Sequence, residues 1–260
     1  MTNNEYLIQI LNKYQAKNLY SYSSQISTLK SILQTWASSC FSEILESGSR
    51  AKGTAIHLAS DVDYLVSLTS SCNENSGGLK SIYDSLHSKL KENYSNVRKQ
   101  NVSFRILLSD LEVDITPARK YSGNTNYHSL YVSKKDTWQQ TNIQKHINDV
   151  SQSGRTNEIK LLKIWRQLHN LDFPSIYMEY LVITNILYNK LTDQNNLTNN
   201  FHHILSELSK DTANPLFSRI IDPANSNNIL SDLLSTNEKN NIINKAKESI
   251  SKQYWSDIVW

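Results

Sequence analysis

Ser60-Asp61-Val62-Asp63-Tyr64-Leu65-Val66 is the stretch on which the reading of this chain turns. Its alternation of acidic and apolar residues predicts a strand, in which successive side chains point to opposite faces. Asp61 and Asp63 then share one face, and Val62, Tyr64 and Val66 share the other. A later stretch, Leu111-Glu112-Val113-Asp114-Ile115-Thr116-Pro117, repeats the alternation: Leu111, Val113 and Ile115 turn to a core and Glu112 and Asp114 turn away from it. Three neighbouring carboxylates, Asp61, Asp63 and Asp114, repel one another unless a cation compensates, which makes an oxygen-rich Mg²⁺ site the economical reading. An isolated Asp-x-Asp on a strand edge can equally face water, so the acids alone leave both readings open.

Upstream, Ser47-Gly48-Ser49-Arg50 follows the apolar pair Ile44-Leu45. A Gly-Ser turn leaving a strand lets backbone N–H groups and a hydroxyl approach a phosphate without side-chain obstruction. Around these motifs, β-like runs are predicted at 41–46, 62–68, 102–108 and 111–116, with helical periodicity at 4–16, 21–36 and 79–94. After Pro117 helices are predicted at 137–149, 156–170, 174–190, 200–209 and 237–252. The order is two helices, a small sheet and a helical half.

Composition excludes several classes. With 260 residues, 38% of them hydrophobic, the chain can bury a sizeable core. It has no apolar run near the ~18 residues of a membrane span. No signal peptide follows the polar start Met1 to Glu5, so a cytoplasmic location is expected. A net charge of +3 is far from the field of a dedicated double-helix binder. Cys40 and Cys72 form at most one disulfide, which a reducing compartment disfavours, and both are read as packing residues. The seven histidines show no ligand spacing and are read as structural or surface groups. On a helical wheel Lys163 points away from the face made by Leu161, Leu162, Ile164, Trp165 and Leu168, which is the position of a solvated charge.

Gly48-Ser49, eleven residues, then Asp-hydrophobe-Asp-hydrophobe and a later strand aspartate together resemble the active-site signature of the DNA polymerase β-like nucleotidyltransferase superfamily. Gly48-Ser49-Arg50-Ala51-Lys52-Gly53-Thr54-Ala55-Ile56 is similar to the segment after that turn in the cGAS/DncV-like nucleotidyltransferases, the oligoadenylate synthetases and the archaeal-type CCA-adding enzymes. Leu161-Leu162-Lys163-Ile164-Trp165, Pro174-Ser175-Ile176-Tyr177-Met178-Glu179-Tyr180-Leu181 and Ile221-Asp222-Pro223 with Asn227-Asn228 resemble later segments of the same group. The sequence has no counterpart of the C-terminal half with which CCA-adding enzymes grip tRNA, nor of the zinc insertion of animal cGAS. The bacterial cGAS/DncV-like branch is therefore the nearest resemblance.

That resemblance implies an α+β, bilobal fold: a catalytic core over 1–120, a mixed sheet with flanking helices, and a helical lobe over 121–260 that completes a central nucleotide cleft. It implies a template-independent nucleotidyltransferase that makes a cyclic or short oligonucleotide second messenger from nucleoside triphosphates, releases pyrophosphate and serves anti-phage defence through a downstream effector protein. Two Mg²⁺ ions, or Mn²⁺, are implied on Asp61, Asp63 and Asp114. Gly48, Ser49, Lys163 and Ser175 are implied as triphosphate contacts, Glu179 as the anchor of its helix, and an aromatic of the helical half as the base-stacking group. Arg50, Lys52 and Arg119 flank the expected phosphate loop. The same core also serves linear ribo- or deoxyribonucleotide synthesis or addition to RNA or tRNA, and a regulator without turnover is the reading of a different class. Tyr254, in a terminal segment expected to be mobile, is weighed as a protein primer against a simple packing role for Tyr254, Trp255 and Trp260.

Overall fold

Alternating apolar residues on either side of the acidic motifs build the centre of a seven-stranded sheet. A computed structural model of the chain describes residues 1–59, 61–73 and 75–260; Ser60, quoted above, lies outside the described residues. In chain order the elements are α1 (Asn3–Lys13), α2 (Ser23–Ala37), β1 (Phe41–Ser47), α3 (Gly48–Ala51), β2 (Val62–Leu68), α4 (Gly78–Asn93), β3 (Arg98–Lys99), β4 (Phe104–Leu108) and β5 (Leu111–Lys120). There follow β6 (His128–Val132), β7 (Thr137–Thr141), α5 (Ile143–Ser151), α6 (Thr156–Leu168), α7 (Ser175–Leu181), α8 (Leu197–Leu208), β8 (Ile221–Asp222), β9 (Asn225–Ile229) and α9 (Thr236–Ile250). The chain divides into two compact units, one of Asn18–Ala51 and Asp61–Ile147, the other of Met1–Lys17, Lys52–Ser60 and Asn148–Trp260.

The first unit holds the sheet, in the order β1-β2-β5-β4-β3, with β6 pairing the end of β5 and β7 pairing β6. β2 and β5 are parallel, and the other pairs are antiparallel. A parallel pair needs a crossover, which α4 supplies. Val62, Tyr64 and Val66 of β2 and Val113 and Ile115 of β5 face a core completed by Leu29 and Leu33 of α2 and Ile82, Tyr83 and Leu86 of α4. On the reverse face Leu65, Ala118 and Leu130 make a smaller cluster. Asp61 and Asp63 belong to that reverse face by strand parity and stay half-buried beyond the cluster.

The second unit is helical. α1 begins with a reciprocal cap: the Thr2 hydroxyl accepts from the Glu5 N–H, and the Glu5 carboxylate accepts from the Thr2 N–H. Ser235 and Glu238 repeat the device at α9. Leu7 and Ile10 of α1, Ile159, Leu161, Leu162 and Trp165 of α6, and Phe201, Ile204 and Leu205 of α8 share one core.

Several expectations change. The division at 120 gives way because β6 and β7 extend the sheet beyond it, while α1 and residues 52–59 pack with the helical unit. The helix expected over 137–149 starts as strand β7, because Thr137–Thr141 pairs with the edge of β6, and it becomes helical at Ile143. Cys40 and Cys72 are not merely packed but joined in a disulfide with 5.3 Å between Cα atoms. Pairing of Phe41 with Leu68 brings the flanking segments together, and the Thr69 N–H reaches the Cys40 carbonyl. The terminal segment is tied down rather than mobile: the hydroxyls of Tyr6 and Tyr14 donate to the carbonyls of Val259 and Trp260. Trp255 stacks on Phe201 and Trp260 meets His169 edge-on, whereas Tyr254 stays 61% exposed. No helix among the described residues is long and apolar enough to cross a membrane.

Trp165 is fully buried and its indole N–H donates to Ser249 at 2.9 Å. Trp165→Ala leaves a cavity and removes the donor to Ser249, whose hydroxyl keeps only its bond to the Lys245 carbonyl, and is expected to cost about 3–5 kcal/mol, read as a lowered urea midpoint of the helical unit.

Candidate active site

The register of the parallel pair sets Asp63 beside Asp114, with Val62 beside Val113 and Tyr64 beside Ile115. Antiparallel pairing of β1 places Ser47 opposite Asp63, so the chain leaves β1 into Gly48 against the acidic end of β2. Gly48 adopts φ +64°, and a Cβ there would lie 1.8 Å from Asp63 Oδ2. Glycine is therefore required twice, by backbone conformation and by the carboxylate resting on its α-carbon. Ser49 follows in α3, and Arg50 sits half-buried near Glu46, Tyr64 and Asp63.

Arg105 on β4 is a residue that the motif reading missed. Its register partner is Asp114, and its Nε and Nη2 donate to Asp114 Oδ1 and Oδ2, each at 2.7 Å. Nη2 also contacts Asp61 and Nη1 contacts Glu112, so three carboxylates converge on one guanidinium. Gln100 donates to Asp114 Oδ1 at 3.0 Å, and Arg98 pairs with Glu112 at 2.7 Å. Burial pushes the Asp61 carboxyl above its usual range, Arg105 pulls it down, and the neighbouring Asp114 and Glu112 charges add to the upward shift. A signal for Arg105 exists in the sequence: a two-residue connection, Ser109-Asp110, between Leu108 and Leu111 fixes the hairpin in which 105 opposes 114.

Among the described residues no set of three His, Cys, Asp or Glu side chains is arranged to hold a metal ion, because the acids turn to Arg105 instead. The donor set still fits a hard divalent cation. It is all carboxylate oxygen, it comes from two adjacent strands held in fixed register, and it is half-buried.

In the helical unit Lys163 departs from the helical-wheel expectation of a solvated charge. It is 2% exposed, because α6 is buried on nearly every side, and its ammonium donates to Glu179 Oε1 at 2.7 Å and Thr54 Oγ1 at 2.8 Å. Lys52 donates to Glu179 Oε2 at 2.8 Å and Thr54 donates to Oε1 at 3.0 Å. Glu179 thus ties α6, α7 and residues 52–54 together. Burial works to raise its carboxyl, but the Lys52 and Lys163 ammoniums and their hydrogen bonds prevail and hold it at about 2. Burial pulls the Lys163 ammonium below its usual range, against Glu179. Ser175 opens α7, half-buried, and accepts from Arg166 at 3.0 Å. The Lys52 ammonium is paired with Glu179, and Arg119 lies five residues along β5 from Asp114, away from the Gly-Ser turn. His128 is a satisfied core histidine, with Ser67 Oγ 2.8 Å and the Asn126 carbonyl 3.0 Å from its ring nitrogens.

A mixed sheet with its acids on adjacent parallel strands and a Gly-Ser turn beneath one of them defines a nucleotidyltransferase of polymerase β-like fold. Residues 1–153 match the model of the Second Messenger Oligonucleotide or Dinucleotide Synthetase domain, and the chain belongs to that family, whose members are metal-dependent nucleotidyltransferases that release pyrophosphate. Among curated proteins it is similar to the cyclic AMP-AMP-AMP synthase of Escherichia coli (strain MS 115-1), 26% identical over 219 residues, which is 77% of this chain and 67% of that one. Among solved structures it resembles E. coli MS115-1 CdnC in a complex with HORMA-deltaN, with a TM-score of 0.71, 20% identity and coverage of 96% and 90% of the two chains. It also resembles Bradyrhizobium diazoefficiens CdnG in complex with GTP, with a TM-score of 0.73, 11% identity and coverage of 96% and 92%.

Gly48→Ala should abolish turnover, because the new methyl group displaces Asp63; a turnover assay on folded variant checks this. Glu179→Gln should cost about 3–5 kcal/mol at neutral pH by leaving two buried ammoniums without their counter-charge. Because the folded carboxyl lies below its ordinary 4.5, its stabilisation is fully present above that value and is lost as pH falls towards about 2. Urea titrations of both forms across this range should show their difference shrinking with acidification.

Proposed function

We propose that this chain joins nucleoside triphosphates into a cyclic or short linear oligonucleotide messenger for bacterial anti-phage defence, read by an effector protein. The observation that carries the site assignment is the register of Asp63 beside Asp114, with Gly48 packed under the Asp63 carboxylate. In this reading Asp61, Asp63 and Asp114 hold two Mg²⁺ ions, with Mn²⁺ as a substitute. When bound, such ions polarise phosphate oxygens and offset the charge that develops on the entering and leaving groups.

The chain's own groups do the rest. The backbone N–H groups and hydroxyl of Gly48-Ser49 receive the triphosphate, and Ser175, backed by Arg166, offers a second hydroxyl to phosphate. An acceptor hydroxyl attacks the α-phosphorus, the new P–O bond forms as the bond to pyrophosphate breaks, and the acceptor proton passes to the Asp114 carboxylate. Arg105, already shared by Asp61 and Asp114, is the counter-charge that must yield as the acids take up their ligands. Similarity to a cyclic AMP-AMP-AMP synthase supports ATP as the first substrate to test.

The test is incubation with each nucleoside triphosphate and deoxynucleoside triphosphate plus Mg²⁺ or Mn²⁺, with mass spectrometry of the products. Free, phosphatase-resistant oligonucleotides are expected. Asp61→Asn with Asp63→Asn should reduce product to background while circular dichroism stays native. Activity within about tenfold of wild type in that double variant overturns the assignment.

A further inference from the structure

A recess of about 520 Å³ lies in the sheet unit, away from the carboxylates, and is bordered by Arg119, Lys120, Tyr121 and Trp138 with the hydroxyls of Ser70 and Ser129. Asp63 pairs with Asp114 and Leu68 pairs with Arg119, so the recess begins five residues further along β5, roughly 17 Å at ~3.3 Å per residue. It also opens on the other face. Leu68, beside Arg119, and Tyr131, opposite Trp138, both belong to the core under α4, whereas Asp63 and Asp114 face away from it.

Trp138 lies on the edge strand β7 with 58% of its surface exposed. A lone exposed aromatic is ordinary, but this one borders the same recess as Arg119 and shares its face of the sheet. Among the described residues neither Arg119 nor Lys120 is in an ion pair; Arg119 donates to the Cys72 carbonyl at 3.4 Å. The Tyr121 hydroxyl donates to Gln140 Oε1 at 3.2 Å, which fixes the ring before any ligand arrives. Flat aromatic faces, an arginine and several hydroxyls in one concavity match a planar base joined to a phosphate.

We infer that this recess is a second, non-catalytic site for a phosphorylated nucleoside. Arg119 takes the phosphate, the Ser70 and Ser129 hydroxyls donate to its oxygens or the sugar, and the base lies on Trp138 with Tyr121 at its edge. Two sources share this chemistry, a substrate nucleotide and an oligonucleotide product. The inference stands on the recess alone and does not require the chain to turn over.

The probe is 8-azidoadenosine 5′-monophosphate, photolysed on the full chain in EDTA so that metal-dependent turnover is silent, with peptide mapping of the label. Label within residues 119–138 is expected. Trp138→Ala, and separately Arg119→Ala, should each cut that label about fivefold or more, the lower bound for loss of base stacking. These variants should keep native circular dichroism and basal synthesis, since the recess is remote from the acids. Competition by unlabelled ATP identifies a substrate site, and competition by a short adenylate oligonucleotide identifies a product site. Either result supports the inference. Absence of label from 119–138, label there that persists in both variants, or label displaced by neither competitor overturns it.

Discussion

Parallel pairing of β2 with β5 is the constraint on which the rest of the sheet unit depends. It puts Val62, Tyr64 and Val66 level with Val113, Ile115 and Pro117, so one face of two adjacent strands becomes continuous apolar surface. A slip of one residue would turn the valines outward and the carboxylates into that core, at a cost of several buried side chains and an unpaired buried charge. Hydrophobic burial thus sets the position of Asp63 beside Asp114 through the apolar face of the two strands. The crossover through α4 and the closure of β1 onto β2 follow from the same pair, since a central parallel strand leaves both of its edges to be satisfied.

The acids are held in tension by that arrangement. Burial raises the Asp61 carboxyl, and the Arg105 guanidinium relieves it while also engaging Asp114 and Glu112. One arginine serving three acids is a poor match in charge, even with Arg98 on Glu112. A site of this kind favours a ligand of higher positive charge, in keeping with a family of metal-dependent enzymes.

A different logic holds the helical unit. Glu179 carries its charge into a nearly water-free interior, where an isolated carboxylate would not remain ionised. Two ammoniums and the Thr54 hydroxyl surround it, Lys52 and Thr54 joining residues 52–54 to α7 and Lys163 joining α6 to it. Such a cluster adds little stability over an apolar replacement, but removing one member is costly, so it fixes which segments meet. The Ser-x-x-x-Glu-x-Leu pattern at 175–181 is accordingly tied to this role by its glutamate and to Arg166 by its serine.

The sequence by itself determined the strand parity of Asp61, Asp63, Glu112 and Asp114, because a period of two needs no partner to be read. It also determined the Gly48-Ser49 turn and the helices whose apolar stripe is regular, α1, α2, α4 and α9. Tertiary structure alone decided what depends on partners distant in the chain. Lys163 reads as solvated on an isolated wheel and is buried because Glu179 waits sixteen residues later to receive it. Residues 137–141 read as the start of a helix and become a strand because β6 presents an edge that must be hydrogen-bonded. Cys40 and Cys72 became a covalent pair only when β1 and β2 aligned, and Arg105 met its acids only when β4 folded back on β5. Local periodicity is a property of neighbouring residues, whereas the fate of a charge or a thiol is set by whatever the fold brings against it.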